Sequence, residues 1–297
     1  MNTANRVWSL AFVLLSMFLA TEVFAEKIEQ RIVISKIGLS TPESIEYYPA
    51  EDVYLVSNIN GNSGEADGNG YISKLKPDGS VIDLKWIDGT KDGVTLNAPK
   101  GSAVVGNKFF VADLNQVQVF ALPSGQQEKS ITIKGSTFLN GVTPGPDGSV
   151  YVTDSGYAGG MVPSGTDALY QVQADGTYKV IAKDKEMGHP NGIWYDNGHL
   201  IVNTLGSGEL LSFDAAGKKT TLVSPPKGAL DGLVKLQDGR LVVSSWAGSA
   251  LYVLDKDNKF SVLADNLESP ADIGLDTKRN LLLVPLFKEN KVVLLPY

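Results

Sequence analysis

Cysteine is absent from this 297-residue chain, which excludes disulfides, thiolate metal ligands and a lipidated cysteine. Histidine is nearly absent: only His189 and His199 occur. With no Gly-x-Ser-x-Gly elbow either, little material remains for a serine triad. Basic residues form no stripe and the net charge is -7, which argues against a nucleic-acid partner. Gly217-Lys218-Lys219-Thr220 lacks the upstream glycine of a phosphate-binding loop and falls in a hairpin turn, so no nucleotide is expected. Beyond the first 25 residues there is no sustained helical period and no run long enough to span a bilayer.

What is present begins with an export signal. Arg6 supplies the positive end, Val7 to Ala20 is almost wholly apolar, and Val23-Phe24-Ala25 offers small residues before a cut. Residues 1–25 therefore read as a secretory signal peptide and 26–297 as the mature domain. The alternative, a retained membrane anchor, is disfavoured by the short apolar run, so no stable anchor is expected. The resulting expectation is a secreted, periplasmic protein.

The mature chain repeats. Six segments share one grammar: a polar residue beside a small one, a short apolar strand, a turn, an alternating strand, then one or two more. The openings are Pro42-Glu43-Ser44-Ile45, Pro99-Lys100-Gly101-Ser102, Leu139-Asn140-Gly141-Val142, Pro190-Asn191-Gly192-Ile193, Leu230-Asp231-Gly232-Leu233 and Ala271-Asp272-Ile273-Gly274. Their polar residues lie 57, 40, 51, 40 and 41 positions apart. A period near 40 suits a four-stranded propeller blade. The two long intervals hold inserted loops, 58–70 and 155–167, both after a second strand. The expected fold is all-β, a six-bladed β-propeller. Its last blade lacks one strand, which Arg31–Ile37 can supply from the mature N-terminus, closing the ring.

The innermost strand of every blade lines the propeller axis. The openings thus bring Glu43, Lys100, Asn140, Asn191, Asp231 and Asp272 to one funnel. Five of them offer oxygen, and three are carboxylates that Lys100 alone cannot neutralise. Either a hard divalent cation sits among them, or they hydrogen-bond water at a polar channel mouth. Second-strand ends, Asn58, Asp113, Asp154, Asn203 and Trp246, are expected to face the same cavity and, with Lys100, to bind substrate. Asp113 and Asp154 are equally read as caps of turns. The run from Glu65 to Lys76 resembles the start of a calcium-binding EF-hand loop, but Lys76 replaces the required glutamate and its flanks read as strands.

These motifs, in order over the whole mature chain, make the sequence similar to the gluconolactonase/regucalcin family, with paraoxonases as more distant relatives. The resemblance implies a divalent metal, with Ca²⁺ the expected cation, held by Glu43, Asn140, Asn191 and Asp231. It implies a metal-dependent hydrolase acting on a small-molecule lactone or related ester, with Asp231 as general base and His189 either assisting or serving only as a loop residue. The family's proline and tryptophan after the first glutamate are replaced by Ser44-Ile45-Glu46-Tyr47, and Lys100 stands where paraoxonases have histidine. Val111-Ala112-Asp113 and Val152-Thr153-Asp154 are similar to NHL-type repeats, which implies the alternative: a non-catalytic platform for a peptide, glycan or protein.

Overall fold

The computed structural model describes residues 31–297; the proposed signal segment, 1–25, lies outside them. Six four-stranded antiparallel sheets follow one another along the chain. Blade 1 is β2 (Pro42–Tyr48), β3 (Val53–Asn58), β4 (Tyr71–Leu75) and β5 (Val81–Asp88). Blade 2 is β6 (Pro99–Val105), β7 (Lys108–Asp113), β8 (Gln116–Ala121) and β9 (Gln127–Thr132). Blade 3 contains β10 (Leu139–Pro144), β11 (Val150–Asp154), β14 (Ala168–Val172) and β15 (Tyr178–Lys183), with a small hairpin, β12 (Tyr157–Ala158) and β13 (Val162–Pro163), in its insertion. Blade 4 is β16 (Pro190–Asp196), β17 (His199–Thr204), β18 (Leu210–Phe213) and β19 (Lys219–Thr221). Blade 5 is β20 (Leu230–Lys235), β21 (Leu241–Ser245), β22 (Ala250–Leu254) and β23 (Phe260–Ala264). Blade 6 is β24 (Gly274–Asp276), β25 (Leu281–Leu286), β26 (Lys291–Pro296) and an outer strand from the other end of the chain, β1 (Ile32–Ile34), paired antiparallel with β26 through Ile32–Leu294, Val33–Val293 and Ile34–Val292.

The first strands β2, β6, β10, β16, β20 and β24 neighbour one another in cyclic order, making a ring rather than a sandwich. Cores lie between blades. Phe110 and Val119 of blade 2 pack with Val152 and Tyr170 of blade 3, and Tyr54 and Val56 of blade 1 with Leu283 and Leu294 of blade 6. Among the described residues, one 3-10 turn at Pro146–Gly148 is the only helical element.

In blades 1 to 5 the pairing of first and second strands slips at the polar-small dipeptide of the opening. Such a bulge re-aims the side chain, turning it to the axis. The glycine that follows is demanded by space. A Cβ on Gly101 would stand 2.5 Å from Asn140 O, one on Gly141 2.3 Å from Asn191 O, and one on Gly192 2.3 Å from Asp231 O. The inner backbones of blades 2 to 4 therefore rest directly on those of the next blades.

A second belt ties the ring one residue before the end of the second strand. Ser57 Oγ accepts from Ser44 N (2.9 Å) and donates to Lys100 O (2.9 Å). Thr153 Oγ1 links Gly141 N (2.9 Å) to Asn191 O (2.7 Å), and Asn203 links Gly192 N (2.9 Å) to Asp231 O (2.8 Å). Ser244 Oγ links Gly232 N (2.7 Å) to Ala271 O (2.8 Å). Each satisfies one blade's N–H and its neighbour's carbonyl, as buried backbone requires.

Blade 6 corrects the register read from sequence. Thr41, His189, Ala229 and Ser269 all take left-handed φ, between 50° and 61°, just before their openings. Pro270 bridges Leu286 as Pro190 pairs with Thr204 and Leu230 with Ser245. The axial position of blade 6 is therefore Ala271, 40 residues after Asp231, and Asp272 occupies the position held by glycine in blades 2 to 5 and by Ser44 in blade 1.

Candidate functional site

The axial side chains converge on a cavity of about 250 Å³. Its polar floor is Glu43, Lys100, Asn140, Asn191 and Asp231, one from each of the first five blades and none more than 4% exposed. Its walls are Ile59, Phe138, Met161, Leu205, Trp246 and Phe287, with Ser63 at the rim. The two insertions meet over it: a Cβ on Gly64 would lie 3.7 Å from the Gly159 backbone, and their neighbours Ser63 and Met161 both line the cavity.

The floor is crowded with acid. Burial, reinforced by Asp231 and Asp272, holds the Glu43 carboxyl well above its ordinary range, with Lys100 opposing. Burial pushes Asp231 up to about 7. The Trp246 indole and the Asn191 amide ease its charge, although the indole N–H closes no hydrogen bond of normal geometry. Asp272 does not line the cavity, but its carboxyl is also pushed well up, by burial and then by Asp231 and Glu46. Desolvation raises Glu46 to about 8. Lys100 is brought down to about 8 by burial, against the pull of Asp113 and Glu43. Its Nζ donates to Ala98 O (3.1 Å) and sits 4.2 Å from the centre of the Phe138 ring.

Three acceptor oxygens on this floor, Glu43 Oε2, Asn140 Oδ1 and Asp231 Oδ1, are buried without a hydrogen-bond partner. Asn140 is locked in that orientation: its Nδ2 donates to Ser155 Oγ (3.1 Å), which donates to Pro190 O (2.6 Å). Orphaned acceptors are costly inside a protein, and a hard cation with oxygen ligands removes the cost. Among the described residues no three His, Cys, Asp or Glu side chains are grouped to hold a metal by themselves. A cation here would thus rest on two carboxylates completed by the amides of Asn140 and Asn191.

The remaining expected residues lie elsewhere. Asn58, Asp113, Asp154 and Asn203 are fully buried and line no part of the cavity. Asn58 Oδ1 accepts from Ser40 N (3.1 Å), Asp113 from Asn97 N (3.0 Å) and Ala98 N (2.8 Å), and Asp154 from Phe138 N (2.9 Å) and Gly156 N (3.0 Å). These three clamp the loop before an inner strand, and Asn203 belongs to the belt between blades. Of the second-strand ends, Trp246 alone reaches the cavity. His189 is also outside its lining. Its Nδ1 lies 2.8 Å from Ser155 O and 3.6 Å from Asp167 Oδ1, and its ring stacks on Tyr157 at 4.2 Å. In the 65–76 loop, Asn69 Nδ2 donates to Asp67 Oδ2 (2.6 Å), and β4 follows.

The wall residues Ile59, Leu205 and Phe287 were not anticipated, yet a signal for them exists. Together with Trp246 they occupy one repeat position, the residue just after the second strand. Each is pinned by its own N–H: Ile59 to Thr41 O (3.1 Å), Leu205 to His189 O (2.8 Å), Trp246 to Ala229 O (2.9 Å) and Phe287 to Ser269 O (3.1 Å).

No protein-family model matches the chain, and no curated protein sequence does. Solved structures with the same fold do. A gluconolactonase from Xanthomonas campestris superimposes with a TM-score of 0.69 at 18% identity, over 91% of this chain and 90% of the other. A putative gluconolactonase gives 0.69 at 17% identity, over 90% and 91%. Virginiamycin B lyase from Staphylococcus aureus, solved with quinupristin, gives 0.61 at 13%, over 90% and 100%. At these identities the likeness establishes a shared six-bladed propeller fold.

Proposed function

We propose that the protein is a metal-dependent hydrolase that opens a lactone or related ester in the axial cavity. The observation that carries this reading is the set of orphaned acceptors, Glu43 Oε2, Asn140 Oδ1 and Asp231 Oδ1, facing one buried space. The fold shared with gluconolactonases supports it. Glu43, Asn140, Asn191 and Asp231 would hold the cation, for which Ca²⁺ suits an all-oxygen set of mixed charge. Bound there, a divalent cation supplies fixed positive charge for the oxygen of the reacting carbonyl.

Asp231, both ligand and base in this scheme, takes the proton of the attacking water as its oxygen adds to the acyl carbon. The acyl C–O bond then breaks, and the departing alkoxide receives the proton. Lys100, with one protein acceptor at Ala98 O, retains N–H groups for an anionic oxygen in the cavity. Ser155 holds the Asn140 amide in place, and Trp246 walls the cavity. With its first 25 residues as an export signal, the enzyme would work outside the cytoplasm.

Stripping the purified protein of metal, reloading it with Ca²⁺ and assaying a lactone panel tests this reading. Turnover should require the cation and be lost in Glu43→Gln. A protein that binds Ca²⁺ tightly at this site but turns over no lactone or ester would favour the non-catalytic platform.

A further inference from the structure

We infer that the substrate carries an apolar substituent and is not a polyhydroxylated sugar lactone; this rests on the hydrolase reading above. The residue just after the second strand is Ile59, Leu205, Trp246 and Phe287 in blades 1, 4, 5 and 6, and all four line the cavity. The equivalent residue of blade 3 is Ser155, whose hydroxyl is committed to Pro190 O. Phe138 and Met161 furnish the wall there instead. The collar above the polar floor is thus carbon-lined on the sides of blades 1, 3, 4, 5 and 6, with the Trp246 indole N–H its one unpaired polar group.

Recognition of several hydroxyl groups needs unpaired donors and acceptors on the wall. Among the polar side chains of the second strands, Asn58, Asp113, Asp154 and Asn203 are fully buried and already bonded to backbone. Ser63 is the one hydroxyl on the rim. Sugar hydroxyls would leave water for ring faces and aliphatic carbons and stay unpaired, whereas an alkyl or aryl group loses water at a gain. On the blade 3 side the mouth carries the same character: Met161 and Val162, at the tip of that insertion, are 44% and 58% exposed. The arrangement therefore assigns two ends to the ligand, with its acyl oxygen on the charged floor and its hydrocarbon against the collar.

The test compares γ- and δ-lactones bearing a butyl or phenyl substituent with glucono-δ-lactone on the Ca²⁺-loaded full chain. In parallel, binding of the corresponding cyclic ethers, which lack the scissile carbonyl, is followed by tryptophan fluorescence. The apolar lactone should be favoured at least 10-fold in kcat/KM, and the apolar ether should bind at least 10-fold tighter than its polyhydroxylated counterpart. Phe287→Asn should erase most of that preference and Phe287→Leu should keep it, the second variant guarding against misfolding of the first. Equal or reversed preference in binding overturns the inference. Selective binding of the apolar ether with no turnover of any lactone sinks the hydrolase reading while leaving the ligand chemistry standing.

Discussion

Two concentric sets of buried polar groups surround the axis of this propeller, and they are treated oppositely. In the outer set, Ser57, Thr153, Asn203 and Ser244 each satisfy the backbone of two blades and are closed to any ligand. The inner set, one residue from each of blades 1 to 5, leaves oxygens of Glu43, Asn140 and Asp231 without partners. Both sets are polar, buried and repeated, so residue type and burial do not separate them. Satisfaction does: the outer groups are spent on the backbone, and the floor oxygens are the ones left with capacity for the cation proposed above.

The sharpest way to break the contrast is Asp231→Asn. Without the carboxylate, Ca²⁺-dependent turnover should fall about 10³-fold, the scale of lost general-base catalysis. The metal-free variant should nonetheless melt higher than the metal-free parent at pH 8, because a buried charge has gone. An unchanged kcat, or a lower melting temperature, would place Asp231 with the outer set.

The next effect lies in pH. Asp231 and Glu46 are raised to about 7 and 8, and Glu43 and Asp272 are raised as well. A carboxyl with a raised folded-state pKa contributes stability below its unfolded pKa near 4 and loses it as pH climbs through the folded value. The metal-free protein should therefore be most stable near pH 5 and weaken by several kcal/mol toward pH 8, since every tenfold change in a group's proton affinity on folding is worth about 1.4 kcal/mol. Lys100, lowered to about 8, works in the other direction only above that pH. Calcium should abolish most of the decline. Differential scanning calorimetry with and without calcium measures both; a flat metal-free profile would remove the picture of crowded acids.

The smallest effect is expected in the outer set. Asn203→Ala leaves Gly192 N, Asp231 O and Gly232 O unpaired, which should lower unfolding stability by about 1–3 kcal/mol. Urea denaturation reads the loss, and KM should stay within about two-fold. A large rise in KM with unchanged stability would mean that Asn203 meets the substrate after all.

Much of this was legible in the chain. The period near 40, the polar-glycine openings and the spare N-terminal strand segment are chemical signals, visible because glycine and charged residues stand out. The misreadings came where the backbone, not the residue type, sets position. In blade 6 the axial place belongs to Ala271, which carries no chemical flag, while neighbouring Asp272 looks the part; only the Pro270–Leu286 bridge reveals the true register. At the second-strand ends, a shift of one residue sends a side chain to the opposite face. In blade 1, for example, Asn58 was expected where Ile59 in fact stands. Apolar residues beside a strand look like ordinary core until closure of the ring exposes them to a cavity.

The close seating of glycine against the neighbouring blade's carbonyl has a consequence for how such a molecule can change. From blade 2 to blade 5 the bore is set by main chain touching main chain, so its width there does not depend on what the axial side chains happen to be. Lysine, asparagine and aspartate already occupy equivalent seats along that arc. A propeller built in this way can exchange the chemistry of its hub one blade at a time without re-cutting the wheel.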